Sequence, residues 1–138
     1  MSKLLASQVI FANNIGMLVR YIFESGFFCT FGEAYRSPEQ ESIAAKMSLV
    51  VGDSQHCKRL AIDLNLYSLD GVDLTDPQAY KEFGDYWKSL NPANKFGGDF
   101  EEIDNNHFEM CPIYKANFKS MVDYISKNFG IEKIEEEK

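Results

Sequence analysis

The stretch SQHCKRLAIDLNLY, residues 54–67, contains the clearest strand pattern in this 138-residue chain. From Arg59 to Tyr67, aliphatic side chains alternate with small or polar ones. A period of two is typical of a strand that covers a core with one face and leaves the other face accessible. The second face carries Asp63, and a carboxylate in such a place needs a partner because burying an unpaired charge is costly. The stretch therefore predicts a strand that presents a functional acid.

Patterns upstream of this strand predict two helices and a further strand. Apolar residues recur at helical spacing from Ser2 to about Ser25, and Gly26 stands where a C-terminal cap belongs. The aromatic-rich segment from Phe27 to Tyr35 predicts a strand. Ser37-Pro38-Glu39 predicts the start of a helix that runs to about Val50, before a turn at Gly52-Asp53.

Downstream patterns predict a hairpin turn, a helix, a loop, a strand and a last helix. In chain order these are the turn at Asp70-Gly71 with a return through Val72 to Leu74, the helix that begins at Asp76-Pro77, the loop from Asn91 to Asp99, the strand from His107 to Cys111, and the helix from Pro112 to Asn128–Gly130. The middle helix is expected to turn Tyr80, Phe83, Gly84 and Trp87 inward.

The fold class that follows is α+β, with a small antiparallel sheet flanked by helices. The chain has no internal repeat and no linker rich in Pro, Gly or Ser, so we expect one domain at residues 1–131. Residues 132–138 are a run of charges and are expected to form a solvated C-terminal tail.

Composition limits the classes of partner. The net charge of −7 argues against nucleic acid, because phosphate neutralisation needs clustered Lys and Arg. No apolar run reaches the roughly 20 residues that span a bilayer, so we expect no stable membrane insertion, and a monomer is the default. Gln8, Asn13 and Asn14 interrupt the N-terminal apolar region, which is not the pattern of a signal peptide. We therefore expect cytoplasmic synthesis, and the odd number of three scattered cysteines fits a reduced compartment.

The only two histidines of the chain accompany carboxylates. His56 precedes Asp63 by 7 residues, and His107 follows it by 44 residues within the segment DNNHFE. Two imidazoles and one carboxylate would leave an open position for water on a tetrahedral zinc, as catalytic zinc sites do. Asp104 lies three residues before His107 and could move a proton. A lone histidine is more often a satisfied structural residue, so spacing alone leaves both interpretations open.

A family resemblance bears on this choice. Ser54-x-His56-x-x-x-x-Ala61-x-Asp63, followed by Asp104-x-x-His107-Phe108-Glu109, resembles the signature of the D-alanyl-D-alanine carboxypeptidase and dipeptidase family of zinc peptidases. That family also contains phage L-alanyl-D-glutamate endolysins, and it shares a fold group with lysostaphin and the Hedgehog signalling domain. The segments Tyr35-Arg36-Ser37-x-Glu39-Gln40 and Gly97-Gly98-Asp99-Phe100 also resemble family segments, so the likeness covers roughly residues 27–111.

The resemblance implies a role for each matching position. It implies that His56, Asp63 and His107 bind Zn²⁺, that Asp104 is the catalytic base, and that Arg36 steadies the substrate carbonyl and the oxyanion. Ser54 matches a substrate-contacting serine, although it could equally cap a turn. Two departures stand out, since many members have Gly at the position of Arg59 and Pro at that of Asn106.

Glu109 is expected on the same strand face as His107. It could orient a metal ligand or simply lie at the surface, and the sequence leaves both open.

The resemblance implies a zinc peptidase that acts on the peptidoglycan stem peptide. An endolysin that cleaves L-Ala–D-Glu and reaches the cell wall after release is the leading hypothesis. A D-alanyl-D-alanine carboxypeptidase or dipeptidase is the alternative, and a zinc-stabilised binding module without turnover is a third hypothesis from another class.

Overall fold

The computed structural model of the protein describes residues 2–46, 54–112, 122–123 and 126–127. Three helices and four strands make up this part of the chain, with a short 3₁₀ turn before the second strand and another after the third. They are α1 (Lys3–Glu24), β1 (Phe28–Phe31), α2 (Pro38–Lys46), the turn Gln55–Lys58, β2 (Ala61–Tyr67), α3 (Pro77–Leu90), β3 (Asn94–Phe96), the turn Gly97–Asp99 and β4 (His107–Met110).

The four strands form one antiparallel sheet in the order β1-β2-β4-β3. Strand β2 lies in the interior of the sheet, and its partner β4 is the last of the four strands in the sequence. In this register Ile62 faces Phe108 and Asp63 faces His107. The predicted α+β class with a small antiparallel sheet is confirmed.

Helix α1 begins after a capping serine and ends before the glycine that the sequence predicts at its C-terminus. The Ser2 hydroxyl accepts a hydrogen bond from the Leu5 amide at 3.1 Å, which satisfies one of the amides left over at a helix start. Gly26 follows the helix with φ of 88°, a conformation that glycine adopts without steric cost. Leu18 and Ile22 are fully buried on the inward face. Burial of each such side chain contributes about 1.5–3 kcal/mol, so this face fixes α1 on the core.

Helix α3 connects the core to the sheet through two polar groups. Asp76 caps its start and Pro77 occupies the first turn, as predicted. The Tyr80 hydroxyl accepts a hydrogen bond from the Leu66 amide at 3.0 Å. The Trp87 indole N–H points at the carbonyls of Lys95 and Glu109, each at 3.0 Å. Tyr80, Phe83, Gly84 and Trp87 are all buried, so the predicted inward face of α3 is confirmed.

The predicted loop from Asn91 to Asp99 is wrong, because this segment contains β3 and a 3₁₀ turn. A strand of three residues is too short to show a period, and it exists because β4 pairs with it. The strand predicted from Phe27 to Tyr35 is limited to β1, and the return from Val72 to Leu74 is reduced to a single bridge between Tyr67 and Asp73.

Other boundaries differ less, and some fall outside the described residues. Strand β2 begins at Ala61 rather than Arg59, because Arg59 has φ of 55° and ends the preceding turn. The predicted end of α2 at Val50 and the turn at Gly52-Asp53 lie outside the described residues. Most of the predicted last helix also lies outside the described residues, although the four described residues in it, 122–123 and 126–127, are helical. The predicted boundary between the domain at 1–131 and the tail at 132–138 lies outside them as well.

In the described ranges, no helix combines the length and the apolar character that crossing a bilayer requires.

The glycines of two helices make a matched pair for a stability measurement. A Cβ at Gly84 would lie 2.2 Å from the Phe96 ring, and Gly98 lies close against the same buried ring. Gly84→Ala should therefore lower the free energy of unfolding by about 1–3 kcal/mol, since overpacking outweighs the roughly 1 kcal/mol gained in helix propensity.

Gly16 in α1 is the control, because a Cβ there would meet no heavy atom within 4 Å. Gly16→Ala should raise the free energy of unfolding by about 0.5–1 kcal/mol. Urea denaturation of both variants checks this, and equal effects at the two positions would contradict the packing described for Phe96.

Candidate metal centre

The turn that precedes β2 positions His56. The Ser54 hydroxyl accepts a hydrogen bond from the His56 amide at 3.1 Å and so caps the 3₁₀ turn. The His56 side chain is 3% exposed, and its Nδ1 lies 3.0 Å from the carbonyl oxygen of Ala34. A carbonyl can only accept, so Nδ1 carries the proton and Nε2 is left with a lone pair. Nε2 lies 3.5 Å from Asp63 Oδ1. Contact of Ser54 with a substrate stays a prediction.

Pairing of β2 with β4 brings the second histidine to the same carboxylate. His107 Nδ1 lies 3.3 Å from Asp63 Oδ1, and its Nε2 lies 2.8 Å from Glu109 Oε1. Glu109 thus holds one nitrogen of the ring and leaves Nδ1 directed at Asp63. Of the two roles that the sequence left open for Glu109, the structure favours orientation of His107, and the Glu109 side chain is only 14% exposed.

One ligand atom from each of His56, Asp63 and His107 can be chosen so that all three lie within 4.8 Å of one another. Two imidazole nitrogens and one carboxylate oxygen are the donors of a catalytic zinc site, which keeps one position open. The other ring nitrogen of each histidine lies at hydrogen-bond distance from an oxygen acceptor, as it usually does in metal-binding histidines. The donor set therefore fits a divalent metal such as zinc.

The charges of the site are strongly coupled. Burial raises the pKa of Asp63, but the hydrogen bond from His107 and the nearby His56 ring outweigh this effect and lower the pKa to about 2. Burial lowers the pKa of His107, but Asp63 and Glu109 outweigh it and raise the pKa to about 9. Without a metal, positive charge on the His107 ring is thus favoured by its carboxylate neighbours, and a divalent cation would supply positive charge at the same place.

Asp104 lies beside the group of three on the turn between β3 and β4. Its Oδ2 is 3.7 Å from His107 Nδ1, and its side chain is 54% exposed. Partial burial raises the pKa of Asp104 above its ordinary value, with the charge of Asp63 adding to the rise and that of His107 opposing it. A carboxyl with a raised pKa beside a candidate metal site suits proton transfer.

Glycine at position 97 makes the position of Asp104 possible. The Gly97 carbonyl accepts a hydrogen bond from the Asp104 amide at 2.9 Å, and the Asp104 carbonyl accepts one from the His107 amide at 3.1 Å. A Cβ at Gly97 would lie 2.0 Å from the Asp104 carbonyl oxygen and 2.8 Å from the His107 Cβ. The backbone of the turn therefore passes directly over Gly97, and a larger residue cannot fit there.

Arg36 lies in a network of ion pairs next to the site. Its guanidinium contacts both carboxylate oxygens of Glu33, at 2.6 and 2.7 Å, and also Glu41. Arg36 and Glu41 are 8% and 6% exposed. The side chain that the sequence predicts as a substrate contact is thus held by two carboxylates, and its contact with substrate stays a prediction.

The backbone around Arg36 links the two ligands that lie near it. The Glu33 carbonyl accepts a hydrogen bond from the Asp63 amide at 2.9 Å, and the Arg36 amide donates to the His56 carbonyl at 3.3 Å. Sequence reasoning missed Glu33 and Glu41. An opposite charge three residues away, as Glu33 is from Arg36, is too common to single out, and the burial of Glu41 depends on tertiary packing.

No protein-family model matches the chain, and no curated protein matches it. Among solved structures, the fold is similar to the crystal structure of the Serratia marcescens L-Ala D-Glu endopeptidase ChiX. The similarity has a TM-score of 0.60 at 17% sequence identity, and it covers 73% of this chain and 77% of that chain. At this level of identity the similarity shows that the two proteins share a fold.

Replacement of Glu109 tests the orientation of His107. Glu109→Ala should weaken zinc binding about 10–100-fold, because His107 loses the acceptor that holds its ring. Glu109→Gln keeps an acceptor oxygen and should have a smaller effect. Competition with a chromophoric chelator measures the affinity. Glu102→Ala, an exposed carboxylate of the neighbouring loop, is the control, and equal losses in Glu102→Ala and Glu109→Ala would contradict the assignment.

Replacement of Gly97 tests the turn over the site. Gly97→Ala should displace the Asp104 carbonyl and the His107 backbone, so both the stability and the zinc affinity should fall. Gly71→Ala is a control that strains a glycine with φ of 82° at a position where a Cβ would meet no heavy atom within 4 Å. The control should lower the stability and leave the zinc affinity unchanged. If Gly97→Ala also left the zinc affinity unchanged, this result would contradict the close approach of the Asp104 and His107 backbone to Gly97.

Proposed function

We propose that this protein is a zinc-dependent peptidase that hydrolyses a bond in the stem peptide of bacterial peptidoglycan, and that the bond is L-Ala–D-Glu. The observation that carries the proposal is the convergence of His56, Asp63 and His107 from three separate segments, with Asp104 beside them. The shared fold with an L-Ala D-Glu endopeptidase supports the choice of substrate.

His56 Nε2, Asp63 Oδ1 and His107 Nδ1 would hold the zinc ion. A bound zinc ion supplies Lewis acidity toward the scissile carbonyl and toward a water molecule. The protein contributes a site whose ring orientations are already set by Ala34 and Glu109, so little rearrangement is needed when a substrate binds.

Asp104 would take a proton from the attacking water and deliver it to the leaving amine. Its carboxyl lies within a few ångströms of His107 yet remains half-exposed, so substrate can reach it. A raised pKa brings the carboxyl closer to neutral pH, where a group can both accept and return a proton.

Arg36 would act at the other side of the reacting carbonyl. Contacts with Glu33 and Glu41 engage three of the five N–H groups of its guanidinium, so two donors are left for a substrate oxygen. A guanidinium fixed in this way is suited to developing negative charge, because it needs no reorganisation during the reaction.

Two other functions remain as alternatives. A D-alanyl-D-alanine carboxypeptidase or dipeptidase would use the same metal ligands and base, and a zinc-stabilised binding module would use the ligands without turnover. Asp104 favours an enzyme over a binding module, because a purely structural zinc site has no need of a half-exposed carboxyl with a raised pKa. In the proposed function the protein binds the peptide of peptidoglycan rather than nucleic acid. It would act on the cell wall after its release from the cytoplasm.

Digestion of purified peptidoglycan tests the proposal. Mass spectrometry of the products should show new L-alanine carboxyl ends and D-glutamate amino ends. Free D-alanine from a pentapeptide would instead identify a carboxypeptidase. Sacculi that stay intact with zinc-loaded protein would reject the endopeptidase, and the absence of free D-alanine from a pentapeptide would reject the carboxypeptidase.

Replacement of the base separates catalysis from metal binding. Asp104→Asn should lower kcat about 10²–10⁴-fold, because proton transfer is lost while the three ligands remain. Zinc content, measured by elemental analysis of the same sample, should stay at the wild-type level. Glu101→Gln in the adjacent exposed loop is the matched control. Equal rates for wild type and Asp104→Asn would remove Asp104 from the mechanism.

A further inference from the structure

A pair of asparagines lies directly beside the candidate metal ligands. Asn65 follows Asp63 by two residues on β2, so the two side chains share a face of the sheet at a spacing of roughly 7 Å. Asn106 immediately precedes His107. Its Nδ2 donates a hydrogen bond to Asn65 Oδ1 at 2.9 Å. The hydrogen bond of the pair therefore links β2 to the start of β4. Asn65 is two residues from one candidate ligand, and Asn106 is adjacent to the other.

The hydrogen bond between the two amides leaves unused capacity on each. Each carboxamide has two N–H donors and one carbonyl acceptor, and no other hydrogen bond engages these two groups within the described ranges. The Asn65 amide nitrogen and the Asn106 carbonyl oxygen are therefore available. Exchanging nitrogen and oxygen in both side chains would reverse the direction of the bond, but it would still leave one donor group and one acceptor group.

The residue that follows β1 is a glycine and carries no side chain beside Asp63 and Asn65. Both asparagines are half-buried, which permits contact with a ligand. Gly32 follows β1 and donates its amide to the Asp63 carbonyl at 2.7 Å. A Cβ at this position would lie 3.1 Å from Asp63 Cβ and 3.4 Å from Asn65 Nδ2. Because glycine has no side chain, nothing from position 32 covers the path between Asp63 and Asn65.

From this geometry we propose that Asn65 and Asn106 form a subsite for a peptide group of the substrate, adjacent to the bond that is cleaved. This inference rests on the proposed peptidase function and names the residues that position the substrate. A peptide group offers one N–H and one carbonyl, which matches the donor and acceptor of the pair. A carboxylate has no N–H, so it would use the donor alone and leave the acceptor of the pair unmatched. The subsite thus selects a neutral amide and holds it in register with the metal centre.

Kinetics of single and double variants test the subsite. Asn65→Ala and Asn106→Ala should each lower kcat/KM for a synthetic stem peptide about 5–30-fold, mainly through KM, with unchanged zinc content. The double variant should lose less than the product of the two single losses, because the two residues bind as a unit. Asn105→Ala is the control, since this neighbouring asparagine is also half-buried but lies outside the pair. Wild-type kcat/KM in both single variants would overturn the subsite.

A second measurement leaves the pair intact and does not need turnover. Zinc-loaded Asp104→Asn protein is titrated with the same uncleaved peptide while the side-chain amide resonances of asparagines are recorded by NMR. The resonances of Asn65 and Asn106 should shift, whereas that of Asn105 should not. Shifts without hydrolysis by the wild type would reject the proposed function and keep the subsite. Unmoved Asn65 and Asn106 resonances in the presence of saturating peptide would reject the subsite, whatever the activity.

Discussion

The register between β2 and β4 is the constraint on which the rest of the site depends. Residues opposite each other in an antiparallel pair have side chains on the same face, and here Asp63 stands opposite His107. A shift of either strand by one residue would turn its polar side chain toward the core and expose its apolar neighbour, Ile62 in β2 or Phe108 in β4. Burial of those apolar groups therefore also selects the pairing that brings a carboxylate and an imidazole 44 positions apart into contact.

The third ligand depends on main-chain contacts rather than on the sheet. His56 lies outside every strand, and its ring direction is set by the carbonyl of Ala34. That carbonyl is held in turn by the chain between Glu33 and Arg36, which bonds to both β2 and the His56 turn. Ion pairing of Arg36 with Glu33 and Glu41 stiffens this segment. This group of charged side chains, in which Arg36 and Glu41 are buried, thus restricts the geometry of a ligand that it does not contact directly.

The sequence predicted the elements with strong local signals and missed those that tertiary contacts create. Helices α1 and α3 were predicted because caps and apolar faces are local, and β2 because seven residues suffice to show alternation. Strand β3 was missed because it has only three residues and is defined by its partner. The approach of His56, Asp63 and His107 was suggested by a resemblance in motifs. The contacts of Glu33, Glu41 and Asn106 could not be predicted, because they join residues whose proximity depends on the folded chain.

The indole of Trp87 gives the core a direct connection to the candidate metal centre. Its one N–H is shared between a carbonyl of β3 and the carbonyl of Glu109, so a side chain at the centre of the apolar core holds the strand that carries His107. A cation held at the proposed site would therefore make opening of α3 and loss of that cation thermodynamically linked events. At a free metal concentration one hundred times the dissociation constant, this linkage would add about 2.7 kcal/mol to the stability of the folded state. Metal supply would then govern the lifetime of the protein as well as its chemistry.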